Sequence, residues 1–594
     1  MNKNENDLDL RNKGIAENYI FFYQLWRELT SPQTIDSYQF KLMDTFTGIE
    51  ELIDVLKKTI DGTYTSDHNI AECKDELTEL VKDDKILRNY YSSLQTNLLR
   101  CFKKETSKIN EKKSLLHSLT YIKNCLTKDY YNYLVNELEK SLNTPSSKYV
   151  ISKIDVTYYT NKTITYLINS GWSAKKLTNI IKLLWNSSTD NSRWLTFKNT
   201  ISSQKPNIYN IFIPFNIRYE PTVFPFIIKR FNIQNNIELE KGIDFISQNN
   251  SLSTYLKHSV RYAYIKIEAH DEYSATLLSN KIYANLINEL SFFNLISSNE
   301  LKQLSFVVAN ENYTKIKNLT AEELFVTNID YYEGANRAFR LSKKITCSIE
   351  NNSLRNRLLA TYSYSNIGKS TFSFEEKFIN YWIALESFCK TDMENNIIDN
   401  ILKNVPAALC NRYVFSLLRN LFDDCLRCNI TFNFSNGKTF NQTTAKDKVT
   451  SLIEIFKDEN LTNELLNKCS CNSLLIFRCS QLHDLFETKN IKKLIELIKQ
   501  HKNRVRLQLS RLYRIRNQIA HTAYNKAESL TRYIEHLTNY LTIFISEVLI
   551  CSEKLKTSSI EEILSYIKDN YSLFDSTSED NLTLLFSTGE IYLI

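Results

Sequence analysis

The residues best suited to chemistry lie near the C-terminus, where arginine, asparagine and histidine follow one another at short spacing. Arg516 is followed directly by Asn517, and His521 lies five residues beyond Arg516. Histidine titrates near neutral pH, and the arginine guanidinium can bind two phosphate oxygens at once. An asparagine amide can hold a phosphate or orient the histidine ring. These types at this spacing indicate acid–base chemistry beside a bound anion.

Helical geometry predicts how these side chains are arranged. In a helix from Asn503 to Ala523, Asn517 and His521 lie one turn apart on one face, because they are four residues apart. Tyr513 extends that face by another turn. This face of the helix, with His521 on it, points almost opposite to the apolar core stripe, which consists of Leu512, Ile515 and Ile519. We therefore expect His521 to face a site and not the core; an exposed histidine without function is the alternative.

The same five-residue spacing occurs a second time, between Arg478 and His483. On a helical plot, His483 lies at the edge of the apolar stripe that contains Cys479 and Leu482. We therefore interpret this second pair as structural, and the bare spacing as weakly specific.

Basic residues are concentrated just before the candidate site. Ten lysines and arginines lie between Lys489 and Arg516, against the single acid Glu496, although the net charge of the whole chain is only +7. Such a field concentrates a polyanion near the site. A solvated helix face explains the same run equally well.

The elements that must position these residues are mainly helices. A chain of 594 residues exceeds one core, and it contains only nine glycines. The pattern predicts a mostly α fold in four parts: a helical region (1–204), a small α/β or α+β module (205–350), a helical bundle (351–555) and a tail (556–594). Within the bundle, separate helices are predicted over 491–500 and 503–523.

Strand patterns are confined to the middle module. The stretch Asn207–Tyr219 is rich in aromatic and branched residues, and prolines lie within and around it, so edge strands are predicted there. Tyr262–Ala269 and Leu304–Ala309 are predicted as further strands, and Ser274–Phe293 as a helix.

Composition also indicates the compartment. Hydrophobic residues make up 43% and charged residues 24% of the chain, and we find no apolar run of about 20 residues. The N-terminus has no signal or import pattern, and the twelve cysteines are irregularly spaced, as reduced thiols are. A soluble cytoplasmic protein without a membrane segment is predicted.

Cofactor and metal motifs are weak. Gly368-Lys-Ser-Thr371 resembles a phosphate-binding loop, but Ser363 stands where its first glycine is needed. The possible metal ligands match no common zinc module, and buried core thiols are the favoured interpretation. We predict no cofactor and no metal; the ligands considered for zinc are Cys425, Cys428, Cys469, Cys471, Cys479 and His483.

Two segments in this order resemble a known family. The stretch from Leu512 to His521 resembles the hallmark of HEPN domains, in which an arginine, a polar residue and a histidine lie late in a four- or five-helix bundle. About 130 residues upstream, Trp382-Ile-Ala-Leu-Glu386 resembles an early helix of the Apea-like HEPN group. Glu386 and Lys390 match an E-x-x-x-K element of several HEPN nucleases, and their helical spacing places both on one face.

The resemblance implies a function. HEPN proteins with the full motif are typically metal-independent endoribonucleases of prokaryotic defence and toxin systems, and they often act as dimers. The resemblance therefore implies a homodimer or a higher homo-oligomer. The resemblance implies that the catalytic residues are Arg516, Asn517 and His521. It implies supporting roles in the site for Glu386, Lys390 and Tyr513. Residues 1–350 are then expected to regulate an abortive response to phage, with tRNA as substrate and a phage-derived trigger. The residues predicted to bind RNA are Lys492, Lys493, Lys502, Arg504, Arg506, Arg511 and Arg514.

Two other interpretations stay open. In the first, an HEPN-like bundle uses its basic surface to bind RNA or a protein without cleaving. In the second, the chain is a helical scaffold in which the arginine–histidine spacing is accidental.

Overall fold

The computed structural model describes the following residues of the chain: 11–12, 14–30, 43–64, 67–144, 149–185, 190–202, 205–215, 237–292, 305–320, 335–347, 353–371, 373–391, 396–440, 443–486, 491–521 and 527–576. These residues contain 21 α-helices and one five-stranded antiparallel sheet. The predicted fold class, mostly α with a small sheet-containing module, is confirmed.

Nine α-helices form the N-terminal region. They are α1 (Glu17–Thr30), α2 (Thr45–Ile60), α3 (His68–Asp83), α4 (Lys85–Tyr90), α5 (Ser92–Phe102), α6 (Ile109–Leu142), α7 (Tyr149–Asn169), α8 (Ala174–Ile180) and α9 (Asp190–Ser202). Their apolar faces share one hydrophobic cluster around Trp26. Asp84 ties three of them together: it caps α4 and accepts hydrogen bonds from Thr45 of α2 (2.5 Å) and Tyr130 of α6 (2.8 Å).

The middle module contains the sheet. Its strands are β1 (Asn207–Pro214), β2 (Ile237–Lys241), β3 (Arg261–Ala269), β4 (Ser305–Asn310) and β5 (Ile316–Thr320), in the order β2-β3-β1-β4-β5. The prediction of edge strands is wrong for β1, which is the central strand. Pro206 precedes β1 and Pro214 is its last residue, so neither proline removes a hydrogen bond from the middle of the ladder.

Successive side chains of each strand point to opposite faces of the sheet, and both faces are covered. Ile211, Ile265 and Val308 pack on one side against α11 (Glu272–Phe292). Phe212 and Val307 pack on the other side against α10 (Gly242–Gln248) and the segment that follows it. The module is therefore α+β, with antiparallel strands.

Ten helices form the C-terminal bundle. They are α12 (Ala335–Thr346), α13 (Ser353–Ser370), α14 (Phe374–Cys389), α15 (Ile397–Arg427), α16 (Ala445–Lys457), α17 (Glu459–Cys469), α18 (Ser473–Phe486), α19 (Ile491–His521), α20 (Ala527–Leu555) and α21 (Ile560–Ser576). At its centre α14 and α15 pack against each other and against both α19 and α20. The prediction of two helices over 491–500 and 503–523 is wrong: α19 is one helix of 31 residues, and it contains no glycine or proline to interrupt it.

Helix α21 belongs to the same bundle. Ile560, Ile563, Leu564 and Ile567 are fully buried in its hydrophobic cluster. The bundle therefore extends one helix beyond the predicted boundary at residue 555. Residues 577–594 of the predicted tail lie outside the described residues.

One helical stretch in the described part of the chain, Leu530–Leu555, is long and apolar enough to cross a membrane. Its mean hydropathy is 1.2, and 67% of the apolar window is buried inside the bundle. Length and composition alone do not separate a spanning helix from a core helix, and the burial is that of a core helix.

Candidate functional site

The two motif segments lie on α14 and α19, which pack against each other. α14 begins after Ser373, whose hydroxyl accepts a hydrogen bond from the Glu376 amide at 3.4 Å. Phe378, Trp382 and Leu385 are fully buried and fix the rotation of α14 in the bundle. Glu386, one turn beyond Trp382, is thereby placed next to α19.

The Glu386 carboxylate contacts both motif segments. Its Oε1 accepts a hydrogen bond from Nε1 of Trp382 at 2.6 Å, and its Oε2 lies 3.8 Å from Nη2 of Arg516. The side chains of Arg516 and Glu386 are 30% and 20% exposed. A partly solvated ion pair of this kind contributes at most about 1 kcal/mol to stability. Its main effect is therefore to orient the Arg516 guanidinium.

Two further side chains complete the cluster. Nη1 of Arg516 donates to Oδ1 of Asn517 at 3.2 Å, which holds the amide beside the guanidinium. The Tyr513 ring lies 5.9 Å from the Trp382 ring, with an angle of 37° between their planes. Tyr513, Arg516 and Asn517 are all half-buried, so they are accessible from solvent without projecting freely into it.

His521 is the last residue of α19. Its backbone is helical, so it lies one turn beyond Asn517 on the helix. The side chain of His521 lies outside what the structure describes.

Lys390 is separate from this cluster. α14 ends at Cys389, and the backbone of Lys390 is extended, with φ −68° and ψ 105°. Lys390 is thus the C-cap residue of α14: its φ is still helical, so the predicted four-residue spacing from Glu386 is kept, and the chain leaves the helix after it. The Lys390 side chain is exposed, and within the described residues the ion pair of Glu386 is formed with Arg516.

Two residues predicted to bind RNA, Arg511 and Arg514, are buried, with 4% and 3% of their side chains exposed. Nε of Arg511 lies 3.1 Å from Glu51, and Nη2 of Arg514 lies 2.8 Å from the same carboxylate. Arg511 also pairs with Glu76. The prediction of an exposed RNA-binding role for both arginines is wrong, because the N-terminal helices cover this part of α19 with carboxylates.

The contact between α19 and the N-terminal helices is polar along its length. Further donor–acceptor pairs are Asn503–Glu79 (3.1 Å), Ser510–Glu72 (2.8 Å), Arg514–Glu72 (3.4 Å) and Gln518–Asp54 (3.3 Å), and Arg506 lies 3.6 Å from Glu72. We call this contact the polar seam; it joins Asn503, Arg506, Ser510, Arg511, Arg514 and Gln518 of α19 to Glu51 and Asp54 of α2 and to Glu72, Glu76 and Glu79 of α3.

Glu51 is charged at neutral pH. Burial by itself raises the pKa of this carboxyl, but the guanidinium groups of Arg511 and Arg514 outweigh burial and lower the pKa to about 2. The contacts of Glu51 with Arg511 and Arg514 in the seam are therefore ion pairs.

The remaining predicted RNA-binding residues have varied surroundings. Lys492 and Lys493 are exposed at the start of α19. Nζ of Lys502 lies 3.5 Å from the centroid of the Tyr571 ring of α21, a cation–π contact. Arg504 is half-buried, and Arg506 belongs to the polar seam. The exposed basic surface is thus smaller than the sequence suggested, and it lies at the opposite end of α19 from Arg516.

The second arginine–histidine pair has a structural environment. Arg478 is buried, 3.4 Å from Glu28 of α1 and 3.5 Å from Asp424 of α15. The His483 ring contacts the Phe456 ring edge-on at 5.6 Å between centroids. This pair joins helices, as the sequence predicted.

Three of the cysteines considered for zinc lie together in the core. The sulfurs of Cys425 and Cys469 are 4.0 Å apart, and Cys479 hydrogen bonds to Cys469. That hydrogen bond and burial raise the pKa of the Cys479 thiol well above its usual value, which favours the neutral thiol. Cys428 and Cys471 are half-buried beside them. In the described part of the chain, no group of three or more His, Cys, Asp or Glu side chains is arranged to hold a metal ion.

Sequence reasoning missed the acidic half of the polar seam. Glu72, Glu76 and Glu79 follow one another at four- and three-residue spacing, which places them on one face of α3. That spacing was the available signal, but an acidic stripe of this kind is usually a solvated face.

Comparison of the chain with protein-family models, with curated proteins and with solved structures finds no match.

Proposed function

We propose that the chain is a metal-independent endoribonuclease of the HEPN type, with Arg516, Asn517 and His521 as its catalytic residues. The observation that carries the proposal is the 3.8 Å contact between Arg516 and Glu386. These residues belong to two separate segments that each resemble the HEPN pattern, and the contact places the segments in one partly exposed cluster. A scaffold with accidental spacing gives no reason for the two to meet.

The side chains suit cleavage through the ribose 2′-hydroxyl. His521 acts as the base that removes the 2′-OH proton, the 2′-oxygen attacks phosphorus, and Arg516 stabilises the added phosphate charge. The bond to the 5′-oxygen breaks, and that oxygen receives a proton. The products are a 2′,3′-cyclic phosphate and a 5′-hydroxyl. Because each chain supplies one histidine here, the proton donor in this proposal is His521 of a second copy, in a homodimer.

The proposed setting is regulated and cytoplasmic. A nuclease acting freely on cellular RNA would be toxic, so the large N-terminal part is proposed to restrain it until a phage-derived trigger is present. The response would be abortive infection, with tRNA as the first substrate to test. The burial of Leu530–Leu555 inside the bundle supports a location away from membranes.

The direct test uses cells that express the wild type, Arg516→Ala or His521→Ala, with and without phage challenge. We expect growth arrest and RNA fragments with 2′,3′-cyclic ends in the wild type alone. His117→Ala is the matched control, because His117 is exposed on α6, and it should behave as the wild type. Intact tRNA, mRNA and rRNA after incubation of purified wild type with extract of infected cells would refute the proposal.

The exposure of Lys492 and Lys493 favours one alternative, a bundle that binds RNA without cutting it. In that case the double substitution Lys492→Glu and Lys493→Glu removes protection against phage, whereas His521→Ala leaves it intact. The nuclease proposal expects His521→Ala to remove protection.

A further inference from the structure

Two of the surfaces through which the N-terminal helices contact the bundle differ in chemistry. The first is mainly apolar: Leu474 and Phe477 of α18 join the N-terminal hydrophobic cluster, and the Phe477 ring meets the Phe21 ring of α1 at 5.2 Å. Arg478, beside them, pairs with Glu28 of α1. The second is the polar seam along α19. Apolar contacts hold α18 against α1, whereas ion pairs of buried arginines hold α19 against α2 and α3.

The polar seam follows one stripe of α19 towards the candidate site. Five of its six positions on α19 follow one another three or four residues apart, which keeps them on the same side of the helix. Position 521 lies seven residues beyond Arg514, so it falls on the continuation of this stripe. The positions in order are 503, 506, 510, 514 and 518.

Glu51 is the centre of the seam. Among the carboxylates in the described part of the chain, it alone pairs with both buried arginines, with Arg511 Nε at 3.1 Å and Arg514 Nη2 at 2.8 Å. The carboxylates that pair with these two arginines, those of Glu51, Glu72 and Glu76, all come from α2 and α3. A buried guanidinium without its carboxylate is strongly unfavourable, so this part of α19 must stay where α2 holds it.

The seam ends beside the catalytic residues. Nε2 of Gln518, the neighbour of Asn517, donates to Oδ2 of Asp54 at 3.3 Å and to the Tyr64 hydroxyl at 3.3 Å. Asp54 in turn pairs with Lys58 at 2.7 Å. The C-terminal half of α2 therefore borders the last turn of α19.

We propose that Glu51 and Asp54 of the N-terminal region are positioning residues for the proposed nuclease site. They hold the final turns of α19 against α2, and a movement of α2 shifts Asn517 and His521 relative to Glu386 on α14. The catalytic consequence rests on the proposed function, whereas the mechanical link between α2 and α19 does not.

The mechanical link is tested by amide hydrogen exchange in the full chain, with Glu51→Gln compared with Glu50→Gln. Glu50 is the adjacent residue, it pairs with Lys123 of α6 at 2.8 Å, and it lies outside the seam, so it is a matched control. We expect exchange in 511–521 to rise about tenfold in Glu51→Gln. Exchange in 374–389 of α14 should match the wild type in both variants. Equal exchange of 511–521 in the two variants would overturn the proposal.

The catalytic consequence is tested by RNA cleavage kinetics of the same variants. Displaced catalytic groups lower kcat while substrate binding persists, so we expect at least a tenfold fall in kcat with KM changed less than twofold. Glu51→Asp, which keeps the charge, should recover part of the loss. Raised exchange with unchanged kcat would contradict the positioning role. If the wild type cleaves no RNA, the proposed function fails, and the exchange experiment still decides the mechanical link.

Asp54→Ala provides a second variant in case Glu51→Gln does not fold. The Asp54 side chain is 49% exposed, so its removal leaves no buried arginine without a partner. We expect faster exchange in the last turn of α19, around Gln518, and slower cleavage. Exchange and cleavage both equal to those of Glu50→Gln would overturn the role of Asp54.

Discussion

Three arginines within six residues of α19 have different environments. Arg511 and Arg514 are buried against carboxylates of α2 and α3, whereas Arg516 is 30% exposed beside Glu386 of α14. The separation follows from helix geometry, because Arg514 and Arg516 point about 200° apart around the axis. Of these three arginines, only Arg516 is therefore available to bind a phosphate. Within the residues that the structure describes, its carboxylate partner is Glu386.

At this scale we predict the effect of changing that carboxylate. Glu386→Gln keeps an oxygen to accept the hydrogen bond from Trp382 but removes the charge that faces Arg516. We expect RNA cleavage to slow about tenfold, equivalent to about 1.4 kcal/mol in the barrier. Single-turnover cleavage of a defined RNA measures the effect.

Lys390→Gln is the control for this prediction, because Lys390 is exposed and lies beyond the end of α14. It should cleave at the wild-type rate. A loss in Lys390→Gln as large as that in Glu386→Gln would place Lys390 in the site and contradict the role given to the Glu386–Arg516 pair.

At the scale of elements, α19 contacts three different parts of the molecule. Leu512 and Ile515 face the bundle core, Tyr513 and Arg516 face α14, and Arg511 and Arg514 face the N-terminal helices. A helix covered on three sides is held more closely than a surface helix. The polar seam supplies ion pairs where apolar contacts would otherwise be needed.

The seam predicts that two arginines five residues apart differ greatly in their effect on stability. Arg511→Gln leaves Glu76 without its buried cation and Glu51 with Arg514 alone, and we expect a loss of about 3–5 kcal/mol in the free energy of unfolding. Arg506→Gln, with its side chain 37% exposed, should cost less than about 1 kcal/mol. Urea unfolding followed by circular dichroism measures both losses. Equal small losses would show that the carboxylates of α2 and α3 do not contact α19 in solution.

At the scale of the whole molecule, two histidines are buried and neutral. His501 stacks on Tyr413 with 3.7 Å between ring centroids, and burial, together with Arg504, lowers its pKa to about 3. Burial also lowers the pKa of His536 to about 3, with Arg532 and Arg511 adding to the effect. Neither ring nitrogen of His536 has a hydrogen-bond partner among the residues that the structure describes. The folded bundle therefore favours the neutral form of both rings.

These histidines predict a loss of stability in mild acid. In the unfolded chain a histidine takes up a proton near pH 6.5, whereas in the folded chain these two do so near pH 3. Their contribution is therefore complete above pH 6.5 and is lost progressively as the pH falls towards 3. At pH 5 we expect a loss of about 2 kcal/mol for each histidine relative to pH 7.5, seen as a lower urea midpoint.

His501→Phe isolates one of these contributions, since phenylalanine can stack on Tyr413 but does not titrate. The loss between pH 7.5 and pH 5 should shrink by about 2 kcal/mol in this variant. His117→Gln, at an exposed position, should leave the loss as in the wild type. The same loss in all three proteins would mean that other groups control acid unfolding.

Local pattern was sufficient for much of the fold. Apolar spacing predicted the helices, the strands β3 and β4, and the mostly α class, because amphipathic periodicity is written in neighbouring residues. It failed for the central position of β1 and for the continuity of α19. Strand order depends on partners elsewhere in the chain, and the polar residues around His501 resembled a break although nothing in them stops a helix.

The sequence by itself determined which residues were candidates: Arg516, Asn517 and His521 on one helix, and Glu386 on another. Only the tertiary structure decided their surroundings, because ion pairs depend on the surface that covers a helix and not on the helix itself. Glu51 is 460 residues from Arg511, and no local pattern connects them. Some residues of the basic run are therefore buried against the N-terminal helices, and others are exposed. The sequence of α19 alone does not show which are which.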